Sequence, residues 1–356
     1  MFMAFFAIQA FANPVLCSPA YGDITQLNMS LGGSHCINNA GQIVGGNLLY
    51  QNGVTTDLGT IMTGWTNIQA SAINESGQIV GYGTNPTGAQ HAFLLSDGVP
   101  TDLGTLGGAT SRANAINSSG LIVGESVTIT GNTHAFVYDN GIMTDINPNS
   151  YVSSSATAIN SWGAVVGNCE GGTIAYNSFY YANGTTSPHG SLPTWGRAYD
   201  INDSGQIVGV GNYPRYYRYA YSSGGYLGYV SAGGVGSGES IHSEAYGENE
   251  LGAVVGYFDP DNAISGDGYS TGANPVAFVS QGGQMLDLNI LIDPSTGWRL
   301  TSAVAINDYN QVVGYGNLGA FLITTPEPTS LALLTLGAAV LLSRRRVAAN
   351  RGDRQG

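Results

Sequence analysis

Apolar and polar positions alternate in short runs along nearly the whole chain, and one nine-residue pattern, I-N-x-x-G-Q-I/V-V-G, keeps returning. Its copies begin at Ile37, Ile73, Ile116, Ile159, Ile201, Glu248 and Ile306. The sixth copy departs at its first position, where Glu248 stands, and the seventh carries Asn310 in place of the first glycine. Successive starts lie 36, 43, 43, 42, 47 and 58 residues apart. Solenoid coils repeat every ~20–30 residues and a four-stranded propeller blade every ~40–45, so the period selects blades.

Residues 111–146 show one unit in full. Ala113, Ala115 and Ile116 lead into Asn117-Ser118-Ser119-Gly120, where the Asn side chain can bond forward along its own backbone and Gly accepts a positive φ. Leu121-Ile122-Val123-Gly124 is the second strand and Ala135-Phe136-Val137-Tyr138 the third. Asp139-Asn140-Gly141 is a hairpin turn, and Ile142 to Ile146 is the fourth strand. The last repeat stops after its third strand, Ala320-Phe321-Leu322-Ile323, while Asp23 to Leu27 reads as a lone fourth strand. Joining the two removes both sheet edges. The expected fold is therefore all-β, a seven-bladed propeller over residues 21–324 closed by its N-terminal strand. An open β-solenoid or stacked hairpin array is the alternative.

The third and fourth strands recur as Ala92-Phe93-Leu94-Leu95 with Pro100-Thr101-Asp102-Leu103, and as Ala277-Phe278-Val279 with Met285-Leu286-Asp287-Leu288. On these residues, and on the triplets His91-Ala92-Phe93 and His134-Ala135-Phe136, the body resembles the HAF family of extracellular repeats. The resemblance implies a place beside exopolysaccharide or biofilm material and no established activity.

The chain ends differ from the body. Met1 to Ala12 is apolar apart from Gln9, and Ala10-Phe11-Ala12 and Ser18-Pro19-Ala20 both suit a cleavage site, so residues 1–20 read as a signal peptide, although no Lys or Arg precedes Arg112. In residues 325–356, Pro326-Glu327-Pro328 is followed by an apolar stretch from Ser330 to Ser343 and then Arg344-Arg345-Arg346. This order resembles the PEP-CTERM sorting signal of Gram-negative bacteria. The prolines hold an extended segment without N–H donors that a processing enzyme can grip. The apolar stretch would form a C-terminal membrane helix of about 21 Å, short against a ~30 Å hydrocarbon core. The arginines would stay on the cytoplasmic side. A sorting protease of the exosortase type is the partner implied, with an inner-membrane intermediate before delivery to the cell surface or beyond.

Composition narrows the classes further. Glycine supplies 53 residues and charged residues only 9% of the chain, which disfavours a helical bundle. All ten basic residues are arginine, and only five of them fall between residues 21 and 325, against twenty-one acidic side chains there. Phosphate backbones would repel such a body, so nucleic acid is excluded as a partner. Cys17, Cys36 and Cys169 are too scattered for a disulfide framework or a zinc site.

Few residues carry recognisable chemistry. His91 and His134 have Asn177, Tyr219, Val276 and Gly319 at the equivalent positions of other repeats, which makes them structural rather than metal ligands. Gly268 to Gly272 spells a nucleophile elbow and Gly314 to Gly319 a dinucleotide fingerprint, but neither has the strand and helix its chemistry requires. Asp259, Asp261 and Asp267 cluster in the longest interval and would suit Ca²⁺, though no bidentate Glu completes a calcium loop. No cofactor is otherwise expected. Tyr213, Tyr216, Tyr217 and Tyr219 lie interleaved with Arg215 and Arg218 and offer flat faces with hydroxyls, suited to sugar rings or to a protein partner, or simply to filling strand faces. No pair of carboxylates stands out. The reading is an exported, non-enzymatic surface or matrix protein with polysaccharide as its candidate ligand, and a carbohydrate-active enzyme or a protein-binding module as alternatives.

Overall fold

The computed structural model describes residues 22–148, 151–171, 177–188, 196–212, 218–223, 225–229, 242–259, 274–281 and 283–324. The signal-peptide segment and the C-terminal helix expected from the sequence lie outside these residues. Among the described residues no helix is long and apolar enough to cross a membrane.

Short strands joined by tight turns can bury their apolar faces only by stacking sheet on sheet, and here they do so as seven blades of a propeller. In the third blade Gly107–Ile116, Ile122–Thr128, Thr133–Asp139 and Ile142–Asp145 pair antiparallel in chain order. The third and fourth strands of four blades meet at Asn52-Gly53, Asp97-Gly98, Asn140-Gly141 and Asn183-Gly184, both residues at positive φ, the geometry that matches strand twist in a hairpin. In the seventh blade the outermost strand is Ile24–Leu27 from the opposite end of the chain, in register Ile24 with Ile323 and Leu27 with Ala320. The ring is closed as the sequence predicts.

Two blades depart from the average unit. The shortest interval, 36 residues, leaves the first blade with three strands, and its inner strand is reduced to a bridge between Ile37 and Ile43. The sixth blade gains a fifth strand, Gly228–Tyr229, parallel to the edge strand Gln284–Asp287.

The core lies between blades. The phenylalanines of the third strands, Phe93, Phe136, Phe179, Phe278 and Phe321, are fully buried. Each contributes ~1.5–3 kcal/mol by leaving water. Between the third and fourth blades Ala115, Val123 and Ala135 pack on Ile159, Val165 and Phe179. Neighbouring blades are also tied by serines of the inner strands. Ala92 N–H donates to Ser111 Oγ at 2.8 Å, Ala135 N–H to Ser154 Oγ at 2.9 Å and Ala220 N–H to Ser243 Oγ at 2.9 Å.

Candidate functional site

The channel at the ring's centre is built by the repeat motif itself. In six blades the inner strand slips register by one residue, between Ala70 and Ala72, Ala113 and Ala115, Ala156 and Ala158, Ala198 and Asp200, Ala245 and Gly247, and Ala303 and Ala305. Such a bulge leaves one residue out of the ladder and re-aims its side chain. The residues so displaced, Ser71, Asn114, Thr157, Tyr199, Tyr246 and Val304, line one stretch of the channel. The final glycine of the motif permits the bulge: a Cβ at Gly124, Gly167 or Gly314 would run into the carbonyl of Arg112, Ser155 or Ser302.

Above the bulges each motif asparagine works twice. Its Oδ1 accepts local backbone N–H groups, as Asn117 does from Ser119 (3.1 Å) and Leu121 (3.0 Å). Its Nδ2 donates to the carbonyl of the asparagine in the next blade. The bonds run Asn38 to Asn74, Asn117, Asn160, Asn202, Asn249, Asn307 and back to Asn38, at 2.9 to 3.3 Å. A circle of amide bonds thus locks all seven blades.

The residue after each asparagine forms the rim. Ser161 N–H donates to Asp203 Oδ1 (2.7 Å), Asp203 N–H to Glu250 Oε2 (2.8 Å), Glu250 N–H to Asp308 Oδ1 (2.9 Å) and Asp308 N–H to Asn39 Oδ1 (2.9 Å). Asn39 N–H completes the arc on Glu75 at 3.1 Å. These bonds run around the circumference, so the carboxylates are spread about the mouth. Burial pushes the Glu75 and Glu250 carboxyls up, backbone N–H groups oppose this, and the nearby charge of Asp308 adds to it.

Beneath the rim is a cavity of about 300 Å³. Six isoleucines, Ile37, Ile73, Ile116, Ile159, Ile201 and Ile306, form its collar, and Glu248 takes the seventh place. Glu248 is 8% exposed and neither of its carboxyl oxygens has a hydrogen-bond partner. Burial pushes it up to about 10, and the charges of Asp200 and Glu250 reinforce the shift. The N–H of Asn202 eases it only slightly, being committed to Gln206 O at 3.1 Å.

Asp200, 1% exposed, fills the place held by Cys36, Ala72, Ala115, Ala158 or Ala305 in other blades, with Gly247 opposite it. It accepts from Ile201 N–H (2.8 Å) and Glu248 N–H (3.1 Å). From the first blade, which does not adjoin the fifth, His35 reaches across the channel to place Nε2 at 3.2 Å from Asp200 Oδ1. Ser34 Oγ lies 3.1 Å from His35 Nδ1, so the Nε2–H tautomer satisfies both contacts. Burial raises the Asp200 carboxyl, against the pull of His35 and the two N–H groups. Nearby, Tyr199 and Tyr257 donate hydroxyls to Glu244 at 3.2 and 3.1 Å, and the Tyr246 ring packs tilted against both of theirs, with centroids 5.6 and 5.9 Å away.

The structure therefore corrects the sequence reading on one point: Asp200 and Glu248 are a distinguished pair of carboxylates. The signal was present, because Glu248 breaks a column of isoleucine and Asp200 a column of small residues. Of the other sequence candidates, His91 bonds Asp102 at 2.9 Å and His134 bonds Asp145 at 2.7 Å, tying third strands to fourth strands. Tyr219 is half-buried on the strand Arg218–Ser222, whereas Tyr213, Tyr216 and Tyr217 lie outside the described residues. Asp259 is buried, and its N–H bonds His242 O at 2.8 Å; Asp261 and Asp267 lie outside the described residues. Among the described residues no three His, Cys, Asp or Glu side chains are placed to hold a metal ion. Pro326, Glu327, Pro328, Arg344, Arg345 and Arg346 also lie outside them.

The architecture defines an all-β propeller with a polar-mouthed central channel, and the chain carries a recognisable address. The PEP-CTERM protein-sorting motif matches residues 324–346, which implies recognition by an exosortase-type processing enzyme and export through the membrane. No curated protein matches the chain. Among solved structures it is similar to YCF48 bound to D1 peptide, at 13% identity and a TM-score of 0.44 over 86% of this chain and 96% of that one. A puromycin-hydrolyzing peptidase of Mycobacterium tuberculosis gives 12% identity and a TM-score of 0.42, over 81% of this chain and 50% of that one. A mutant of the Aleuria aurantia lectin, in complex with alpha-methyl-L-fucoside, gives 13% and 0.27, over 70% of this chain and 93% of that one.

Proposed function

We propose that this is an exported surface or extracellular-matrix propeller of the HAF-repeat kind, which holds material of the polysaccharide class rather than transforming it. The observation that carries the reading is the sorting motif over residues 324–346, placed behind a closed propeller. Support for a holding role comes from the mouth, where Asp203, Glu250 and Asp308 spend oxygens on the backbone of neighbouring blades. Asp200 likewise accepts two backbone N–H groups while facing His35, which leaves it poorly placed to serve as a nucleophile or base toward a sugar. A carbohydrate-active enzyme is the second reading, favoured by the nearness of Glu248, a carboxyl held protonated as a general acid must be.

Two measurements test this. Replacing Pro326, Glu327 and Pro328 together with Ala should leave membrane insertion intact and trap the uncut chain in the inner membrane of a host with the sorting machinery. If the triple variant is cut and released like the parent, delivery by this signal is wrong. A glycan array on the secreted protein, followed by product analysis of each bound glycan, separates the two roles: retention without cleavage supports holding, and cleavage supports the enzyme.

A further inference from the structure

In six blades the bulge pushes one inner-strand residue out of the ladder, and burial shows where its side chain points. Ser71, Asn114, Thr157, Tyr199, Tyr246 and Val304 are each half-buried, although the residues on either side of every one are buried. The surface they keep faces the channel cavity that they line, about 480 Å³ in volume. Small-molecule sites fall in the range of roughly 300–1,000 Å³.

The wall of this cavity has two chemically distinct halves. Tyr199, Tyr246 and Val304 come from the consecutive fifth, sixth and seventh blades and make one side aromatic and aliphatic. Ser71, Asn114 and Thr157 come from the second, third and fourth blades and make the other side polar, and Ser34 of the first blade continues it. Among the described residues no charged side chain lines this cavity.

Hydrogen bonds already made decide what the polar side can still offer. Thr157 has one hydroxyl proton, which the carbonyls of Ala198 (3.1 Å) and Val166 (3.2 Å) take up. Asn114 spends Nδ2 on Ala156 O (2.8 Å) and Ser155 Oγ (3.3 Å). Ser34 gives its proton to His35 Nδ1 in the Nε2–H tautomer. What remains on all three is an oxygen acceptor. The aromatic side is braced, since the Tyr199 hydroxyl donates to the buried Glu244 and the Tyr246 ring packs against Tyr199 and Tyr257. A matching ligand carries an apolar face on one side, several hydrogen-bond donors on the other, and no net charge. A pyranose has this form: its axial C–H bonds make a face that packs on an aromatic ring, while its hydroxyls donate from the edge.

We propose that this two-sided chamber binds one neutral pyranose unit of a glycan, with a C–H face against Tyr199 and Tyr246 and hydroxyls donating to Ser34, Asn114 and Thr157. The proposal rests on the polysaccharide-holding role put forward above and gives that role a place in the channel.

The test is titration of the full chain with methyl β-D-glucopyranoside, methyl β-D-galactopyranoside and methyl α-D-mannopyranoside, followed by saturation-transfer NMR. At least one should bind, with transfer to its ring C–H protons. Glycerol, which has hydroxyls but no face, and cyclohexanol, which has a face but a single hydroxyl, should bind at least tenfold more weakly. Thr157→Val and Tyr246→Val each install the residue that the seventh blade carries at this position, so both should fold, and each should weaken the glycoside at least tenfold. Binding by none of the glycosides, cyclohexanol binding as tightly as a glycoside, or unchanged binding in the folded variants would each overturn the proposal. Glycans retained on an array equally by the parent and by both variants would overturn this site and leave the holding role standing. An array on which the parent retains nothing would overturn the role and the site together.

Discussion

Asn307 donates its side-chain amide to the carbonyl of Asn38, 2.9 Å away across 269 positions of sequence. This bond completes the circle in which every motif asparagine holds the blade after it. It joins the last blade to the first by a second route, independent of the strand Ile24–Leu27.

Breaking the circle should therefore be expensive anywhere along it. Asn117→Ala removes the donor to Asn160 O and the acceptor for two local N–H groups in a buried setting. Urea unfolding is expected to show a loss of about 2–4 kcal/mol. Asn140→Gly, at an exposed hairpin position with φ 47°, should stay within about 0.5 kcal/mol of the parent. Equal effects from the two would show that the ring adds nothing beyond a turn.

Removing residues 22–28 should expose the edge of Gly319–Thr324 and strip the buried Leu27 from the core. A loss on the order of 5 kcal/mol with aggregation is expected, from several ladder bonds and one buried Leu. Light scattering during a thermal ramp is the measurement, and parental melting would contradict closure by this strand.

Glu248 gives a pH dependence whose sign follows from its raised value of about 10. Below an unfolded value of ~4.3 the carboxyl is protonated in both states and costs nothing through ionisation. As pH rises from there toward 10, the unfolded chain loses the proton that the folded chain keeps, and stability falls by at most about 1.4 kcal/mol per pH unit. Glu248→Ile should therefore raise the melting temperature, by more at pH 8 than at pH 5. A gain independent of pH would show that the burial is not felt as a proton linkage.

Cys36 and Cys169 are buried and are not bridged to each other, in clusters belonging to different parts of the ring. Burial pushes both thiols up to about 12, so only about one in ten thousand is ionised at pH 8. Native protein should resist a disulfide-exchange reagent for hours and take up label at both sites once unfolded. A bridge between them in the secreted protein would be incompatible with this fold.

Much of this was legible in the sequence because the period of the motif is the period of the blade. Leu121 to Gly124, Asn140-Gly141 and the lone strand at 23–27 sit where alternation and turn chemistry place them. The short first blade was harder to read, since Gly32 to His35 replace most of an inner strand with a turn that alternation does not register. The channel was harder still. Which side chains face it depends on a one-residue bulge, and the contact of His35 with Asp200 is made across the ring by residues that no local pattern connects. A reading that treats Glu248 as a flaw in a repeat loses one of the two buried carboxyls, with Asp200, that stand unlike their counterparts.

The bulges separate two duties that a strand residue usually shares. Ser71, Thr157, Tyr199 and Val304 stand at one structural position in four blades, yet they differ in size, polarity and aromaticity. Since the displaced residue is outside the ladder, exchanging it alters the lumen while the pairing on either side persists. The propeller thus carries a wall whose bore and chemistry can be rewritten blade by blade on a frame that stays the same.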